Sequence, residues 1–227
     1  MELIKIIIND YRQFSDSEIC LELEKDLTMI AGANNSGKTS LISLIRKILK
    51  NEIISYNALD VPVSRKTEWI SEVLPIFQDF FTNPNNTVEM VEDKIVNIIL
   101  PLTGEGGKEL KTTNLKFIVS YDPQGDDIKL FADYIMDLDL NEHYFYFYVD
   151  FHVRRNTFIS HLVDNYEKIK VRFMRQSDDP LKLYSLTDWL VEMYVKSLEC
   201  KCYFCDKSYD IKCPMNDLGT LRKLFNI

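Results

Sequence analysis

The sequence lacks the features that mark membrane, secreted and repetitive proteins. Among its 227 residues there is no run of about 18 uninterrupted apolar residues, and the N-terminus carries Glu2 and Lys5 instead of a signal peptide. It also contains no internal repeat and no low-complexity tract. Hydrophobic residues make up 46% and charged residues 27%, as in an ordinary globular protein. We therefore expect a cytoplasmic protein with a sizeable core and no membrane contact.

An excess of positive charge is also absent. The formal net charge of −8 argues against a general coating of nucleic acid or anionic membrane, but it leaves room for a local basic surface. The segment Lys168–Arg175 interleaves basic and apolar residues and could contact phosphates. It equally suits the solvent-facing side of an amphipathic helix, so it does not by itself indicate nucleic-acid binding.

The cysteines do not have the spacing of a disulfide scaffold. Four of the five lie within fourteen residues near the C-terminus: Cys200, Cys202, Cys205 and Cys213. Four thiols brought together by tight turns could bind Zn²⁺ in a tetrahedral site. However, the usual second Cys-x-x-Cys pair is missing, so unliganded thiols in a reducing compartment remain the alternative.

One short stretch points to specific chemistry. Residues 31–40 read AGANNSGKTS and contain the spacing Gly32-x-x-x-x-Gly37-Lys38-Thr39. Two glycines let the backbone curl so that successive N–H groups face an anion, and a following helix adds its positive dipole end. The lysine can reach the β- and γ-phosphates of a nucleotide, and the threonine hydroxyl can ligate Mg²⁺. The motif therefore predicts ATP and Mg²⁺ as cofactors.

The apolar periodicity places this motif between a strand and a helix and suggests the remaining elements. The first predicted elements are strands at 2–8, 19–24 and 27–31, a helix after Lys38, and helical segments between 57 and 110 with a kink at Pro75. A strand at 115–121, a short helix at 127–136 and a strand at 144–153 follow. The chain then continues with helices that have apolar faces over 158–173 and 186–194, a short β-like stretch, and a final helix at 218–225.

These elements suggest four segments of one α/β head. They are a nucleotide-binding lobe at 1–56, a helical insertion at 57–112, a β-rich lobe at 113–155, and a helical region at 156–227 that ends in the cysteine-rich, β-like stretch.

Residues 1–50 resemble the N-terminus of the ABC-type ATPases of the SMC and OLD group, including the AAA-type OLD-like proteins of bacterial defence. A strand, the turn Tyr11-Arg12-x-Phe14, a second strand and the glycine-containing loop follow one another in the order of that family. The resemblance implies a P-loop NTPase of ABC/OLD type, with a mixed sheet, an N-terminal antiparallel hairpin and a helical insertion. Lys38 is then the catalytic lysine and Thr39 the Mg²⁺ ligand. The implied nucleotide-binding residues are Arg12, Gly32, Asn34, Asn35, Ser36, Gly37, Lys38, Thr39 and Ser40.

Other parts of such a site are missing from the sequence. No apolar run ends in Asp-Glu, the pair that supports Mg²⁺ and positions the attacking water. Asp150 is the nearest candidate for the metal-supporting acid, and Gln124 for a γ-phosphate sensor, although a strand-edge residue and a plain turn explain both. No Ser-Gly-Gly signature precedes a helix. We therefore expect the first half of an ATPase head, cut near Ile227, with weak ATP binding and slow or absent hydrolysis.

Two functions remain open at this stage. The first is the ATP-binding part of an ABC/OLD-like ATPase that couples nucleotide binding and hydrolysis to a partner effector or to DNA, with a role in antiviral defence. The resemblance implies a homodimer or larger oligomer formed through the heads, a nuclease effector and contact with DNA. The second is a zinc-stabilised nucleic-acid or protein interaction module with a vestigial phosphate loop.

Overall fold

The computed structural model describes residues 2–15, 18–49, 56–101, 112–124, 143–174, 181–210 and 212–215. The fold is mixed α/β with an antiparallel sheet. The chain forms two compact units. One, here called the sheet unit, consists of residues 1–56, 113–151 and 200–227, and the other, the helical unit, of residues 57–112 and 152–199.

A six-stranded sheet organises the described residues, in the order β2-β1-β3-β4-β5-β6. The neighbours β1–β2, β1–β3, β3–β4 and β5–β6 are antiparallel. The strands are β1 (Glu2–Asn9), β2 (Ile19–Glu22), β3 (Thr113–Ser120), β4 (Tyr144–Val153), β5 (Leu198–Cys205) and β6 (Lys212–Pro214). This confirms the strands predicted near 2–8, 19–24, 115–121 and 144–153, and the short β-like stretch.

Alternation along the strands explains which face of the sheet is buried. Ile6 of β1 lies opposite Phe117 of β3, and Phe117 lies opposite Phe147 of β4. All three side chains are almost fully buried, so they form one apolar row across the sheet. Side chains one residue along, such as Lys116 and Tyr148, point to the opposite face and are half-buried. Burying each large apolar side chain contributes about 1.5–3 kcal/mol.

The helix that follows the glycine-containing loop is confirmed. Helix α1 spans Lys38–Leu49, and its Leu41 and Leu44 side chains are buried, whereas Ile42 on the other side is exposed. The three positions follow helical spacing, with one apolar side facing the protein.

The prediction of a third strand at 27–31 is wrong. This segment has no strand pairing, and its Leu27 and Met29 side chains are largely exposed. Apolar composition alone does not make a strand, because the backbone N–H and C=O groups need a neighbouring ladder to pair with. The strand that was expected to lead into the loop does not join the sheet. A sheet with both parallel and antiparallel neighbours is therefore not shown by the described strand pairs.

The helical unit is built from two helical segments of the chain. Its elements are α2 (Val63–Thr82), a 3₁₀ turn (Val88–Met90), a π-helical turn (Glu92–Val96), α3 (Asn97–Ile99), α4 (Arg155–Asp164), α5 (Tyr166–Met174) and α6 (Leu181–Lys196). Helix α2 continues through Pro75, which is exposed on its outer side. No helix among the described residues is both long and apolar enough to cross a membrane.

The helix predicted over 158–173 is in fact two. Asn165 separates α4 from α5, with φ −106° and ψ 4°, and its side-chain amide donates to the backbone oxygen of His161 at 2.8 Å. Asparagine competes for backbone hydrogen bonds in this way and often marks a helix end. The apolar stripe nevertheless continues, because Phe158 and Leu162 of α4 and Ile169 of α5 are all buried.

The grouping of segments also differs from the four predicted. The segments 57–112 and 152–199 belong to one unit, and 113–151 joins the residues around the glycine-containing loop. The reason is that β3 pairs directly with β1, a contact between residues more than 100 positions apart that no local pattern reveals. The helices predicted at 127–136 and 218–225 lie outside the described residues.

Candidate functional site

The candidate site begins with a tight turn after β1. In this hairpin turn, defined as residues 11–14, the Tyr11 N–H donates to the Phe14 oxygen at 3.1 Å and the Phe14 N–H donates to the Tyr11 oxygen at 2.8 Å. Asp10 and Arg12 adopt left-handed backbone conformations, with φ 53° and 52°. The Tyr11 ring is buried, which anchors the turn to the sheet unit.

The phosphate loop, defined as residues 32–39, is curled around its own lysine. The Lys38 Nζ donates to the backbone oxygens of Gly32 at 2.5 Å and Ala33 at 2.6 Å. The curl needs left-handed backbone at Asn35 (φ 64°) and Gly37 (φ 91°), and the Ser36 N–H donates to the Ala33 oxygen at 3.3 Å. Asparagine and glycine are the residues that adopt this conformation most readily.

The loop is open to solvent on one side and packed on the other. Asn34, Asn35, Ser36 and Thr39 are exposed, whereas Gly37 is buried. Helix α1 starts at Lys38, so the N–H groups of its first turn have no acceptor within the helix. An exposed curl with a lysine and free N–H groups at a helix start suits a phosphate anion, and the exposed Thr39 hydroxyl suits an accompanying Mg²⁺. The residues present therefore fit ATP and Mg²⁺.

The packed side of the loop faces the hairpin turn. The Arg12 guanidinium donates to Ser40 Oγ at 3.4 Å, and Ser40 Oγ donates to Gln13 Oε1 at 3.2 Å. A Cβ added to Gly37 would lie 2.1 Å from Gln13 Nε2 and 2.4 Å from the Phe14 ring. The structure thus brings Arg12 to the start of α1, and it directs the Ser40 hydroxyl toward the turn rather than toward solvent.

Gln13 is the residue in this arrangement that the sequence did not single out. It occupies the unspecified position of the Tyr11-Arg12-x-Phe14 turn, so no motif marked it. Only its two neighbours could have indicated its position. A turn that places Arg12 and Phe14 beside the loop must also bring the residue between them close to it.

The candidates for the metal-supporting acid and for the γ-phosphate sensor lie elsewhere in the sheet unit. Asp150 is half-buried on β4, opposite Asn114 of β3. The Gln124 N–H donates to the Asp122 side chain at 2.9 Å in an exposed turn after β3, which is the plain turn that the sequence favoured. These positions do not identify a Mg²⁺-supporting acid among the described residues.

The zinc prediction finds no support in the geometry. Cys200, Cys202 and Cys205 lie along β5 and Cys213 on β6. Five residue-to-residue steps of extended strand place Cys205 about 16 Å from Cys200, whereas two sulfurs bound to one Zn²⁺ lie about 4 Å apart. Within the described ranges no group of His, Cys, Asp and Glu side chains could hold a metal ion.

Two of these thiols, Cys202 and Cys205, are buried in β5. Burial raises the pKa of Cys205 to about 12. A hydrogen bond from Cys202 lowers the pKa of Cys200, and the same contact together with burial raises the pKa of Cys202. Thiols that stay protonated, as burial favours at Cys202 and Cys205, are poor metal ligands and poor nucleophiles.

Comparison with protein-family models identifies an ATPase domain. A family model described as "AAA ATPase domain" matches residues 1–213. A solved structure from work described as "Structural biochemistry of ATP-driven dimerization and DNA stimulated activation of SMC ATPases" is similar over 84% of this chain and 99% of that chain, with 13% identity and a TM-score of 0.34. No curated protein sequence matches the chain.

Proposed function

The chain belongs to the AAA ATPase domain family, and from that premise we propose that its phosphate loop binds ATP together with Mg²⁺. The observation that carries the proposal is the pair of hydrogen bonds from Lys38 Nζ to the oxygens of Gly32 and Ala33. They hold the ammonium group inside the curl, where a triphosphate would sit.

Each residue of the loop has a role that follows from its position. Lys38 supplies a positive charge to the β- and γ-phosphates, and the N–H groups at the start of α1 donate to the same oxygens. Thr39 is exposed in the first turn of α1, and its hydroxyl would ligate Mg²⁺, which would neutralise charge that develops on the phosphates. Arg12, half-buried at the edge of the loop, adds a second positive charge beside it.

We propose further that the nucleotide state is coupled to a partner. The resemblance of residues 1–50 to the SMC and OLD group supports a head of ABC/OLD type that pairs with a second copy and acts on a nuclease effector or on DNA, with a role in antiviral defence. The exposed side of the phosphate loop would then face the partner head.

Replacing Lys38 with alanine tests ATP binding. The affinity of the Lys38→Ala variant for a fluorescent ATP analogue, measured by titration with Mg²⁺ present, should fall about tenfold to a hundredfold, the value of a charged hydrogen bond. The matched control is Lys25→Ala, which removes an exposed lysine outside the loop and should leave the affinity unchanged. Equal affinities for the wild-type and Lys38→Ala chains would remove the proposal.

A further inference from the structure

The buried side of the phosphate loop has no side chain of its own to hold it. Gly37 lacks a Cβ and has a left-handed φ of 91°, a conformation that glycine leaves readily because its backbone is unrestricted. What holds it must therefore come from neighbouring residues. The nearest are Gln13 and Phe14 of the hairpin turn, whose atoms fill the space where a Cβ of Gly37 would lie.

The donor and the acceptor of each hydrogen bond at this contact can be assigned. An arginine can only donate, so Ser40 Oγ accepts from Arg12 and its own hydrogen is available for Gln13 Oε1. This assignment fixes the orientation of the Gln13 side-chain amide, with its Oε1 toward Ser40 and its Nε2 toward Gly37. Ser40 is buried, so a hydroxyl left without its acceptor would be costly.

We propose that Gln13 is a positioning residue of the nucleotide site, an inference that rests on the proposed ATP binding. Its amide ties Ser40 in the first turn of α1 to the hairpin turn and braces the backbone of Gly37. The loop is then held in its curl before a nucleotide arrives. Binding therefore costs less ordering of the loop and is tighter.

Two variants separate the hydrogen bond from mere packing. Gln13→Met keeps the length of the side chain and its contact with Gly37 but removes the acceptor, and Ser40→Ala removes the donor. Each should weaken the affinity for the fluorescent ATP analogue about threefold to tenfold, the value of one net hydrogen bond. If the two residues act through one hydrogen bond, the double variant should lose no more affinity for the analogue than the weaker-binding single variant does. Gln78→Met, on an exposed position of α2, is the matched control and should bind as the wild type does.

A second readout needs no nucleotide. Hydrogen exchange of the backbone amides at residues 36–39 should be faster in Gln13→Met than in the wild type, while exchange in β4 stays the same. Equal affinity or equal loop exchange in Gln13→Met and the wild type overturns the role of Gln13. If the wild-type chain itself does not bind the analogue, the proposed function fails, and with it this inference. The two failures are therefore distinguishable.

Discussion

Lys38 Nζ lies 2.5 Å from the backbone oxygen of Gly32, a residue six positions earlier in the chain. This bond closes the curl of the phosphate loop from inside. The ammonium group donates hydrogen bonds to the Gly32 and Ala33 carbonyl oxygens, and these bonds help to hold the curl without an anion. A bound triphosphate would add hydrogen-bond acceptors and negative charge to a shape that is already formed.

The curl should not tolerate a side chain at Gly37. In Gly37→Ala the φ of 91° becomes strained, and the new Cβ meets Gln13 Nε2 at 2.1 Å and Phe14 at 2.4 Å. We expect ATP-analogue affinity to fall at least about tenfold and the free energy of unfolding to drop by about 1–3 kcal/mol. Titration and urea denaturation measure the two.

The control for that variant is Gly32→Ala. Gly32 does not have a positive φ, and the nearest atom to its added Cβ is the hydroxyl oxygen of the exposed Ser36 side chain at 2.6 Å, which can rotate away. Its loss of stability should be clearly smaller. Equal effects of the two substitutions would contradict the packing of Gly37 against the hairpin turn.

The apolar row across the sheet should dominate the stability of the sheet unit. Phe147 is 1% exposed and contacts the Phe204 ring, with centroids 4.6 Å apart. Phe147→Ala should lower the free energy of unfolding by about 3–5 kcal/mol, because it leaves a cavity. Tyr144→Ala, on the same strand but 39% exposed, should cost much less. Urea denaturation measures the free energy of unfolding of both variants. Similar losses in the two would show that the core lies elsewhere.

Thr39 should determine how strongly Mg²⁺ promotes nucleotide binding. Its hydroxyl is exposed at the start of α1, where it can reach a metal ion beside the phosphates. Thr39→Ala should lose most of the gain in ATP-analogue affinity that Mg²⁺ gives the wild type, while its affinity in the presence of a chelator stays close to wild type. Thr39→Ser keeps the hydroxyl and should restore the gain. A Mg²⁺ effect that persists in Thr39→Ala would show that another residue holds the ion.

Stability should fall at alkaline pH. Burial raises the pKa of Cys205 from 9.0 to about 12 in the folded chain, so between these values the unfolded chain releases a proton that the folded chain keeps. The unfolded state then binds fewer protons, and the free energy of unfolding decreases as pH rises. The half-buried Tyr148 and Tyr209, whose pKa values burial also raises, act in the same direction.

Urea denaturation at pH 8 and pH 10.5 measures this loss of stability. The Cys205→Ala variant should show a smaller decrease than the wild type between the two values. A wild-type chain whose stability does not change over this range would show that Cys205 is accessible to water. As an independent check, iodoacetamide at pH 8 should modify the exposed Cys20 well before Cys205.

Local patterns predicted those parts of the fold that depend on local forces. Tyr144–Val153 was predicted as a strand because few other conformations suit ten residues so rich in aromatic and β-branched side chains. Helix α1 followed from the spacing of Leu41 and Leu44. The segment 27–31 failed the same reasoning, because a strand also needs a neighbour, and neighbours are not encoded locally. The helix break at Asn165 depended on one side-chain hydrogen bond to His161.

The candidate site likewise has one part that local sequence predicted and another that depended on tertiary structure. The sequence alone identified the phosphate loop, because glycines, lysine and threonine at this spacing favour a backbone curl that carries a positive charge. Only the tertiary structure decided that Gln13 and Phe14 close the buried side of that curl, and that the cysteines of β5 lie too far apart for one metal ion. These outcomes depend on which distant segments pack together and on the length of an extended strand, and packing between distant segments is fixed only when the whole chain folds.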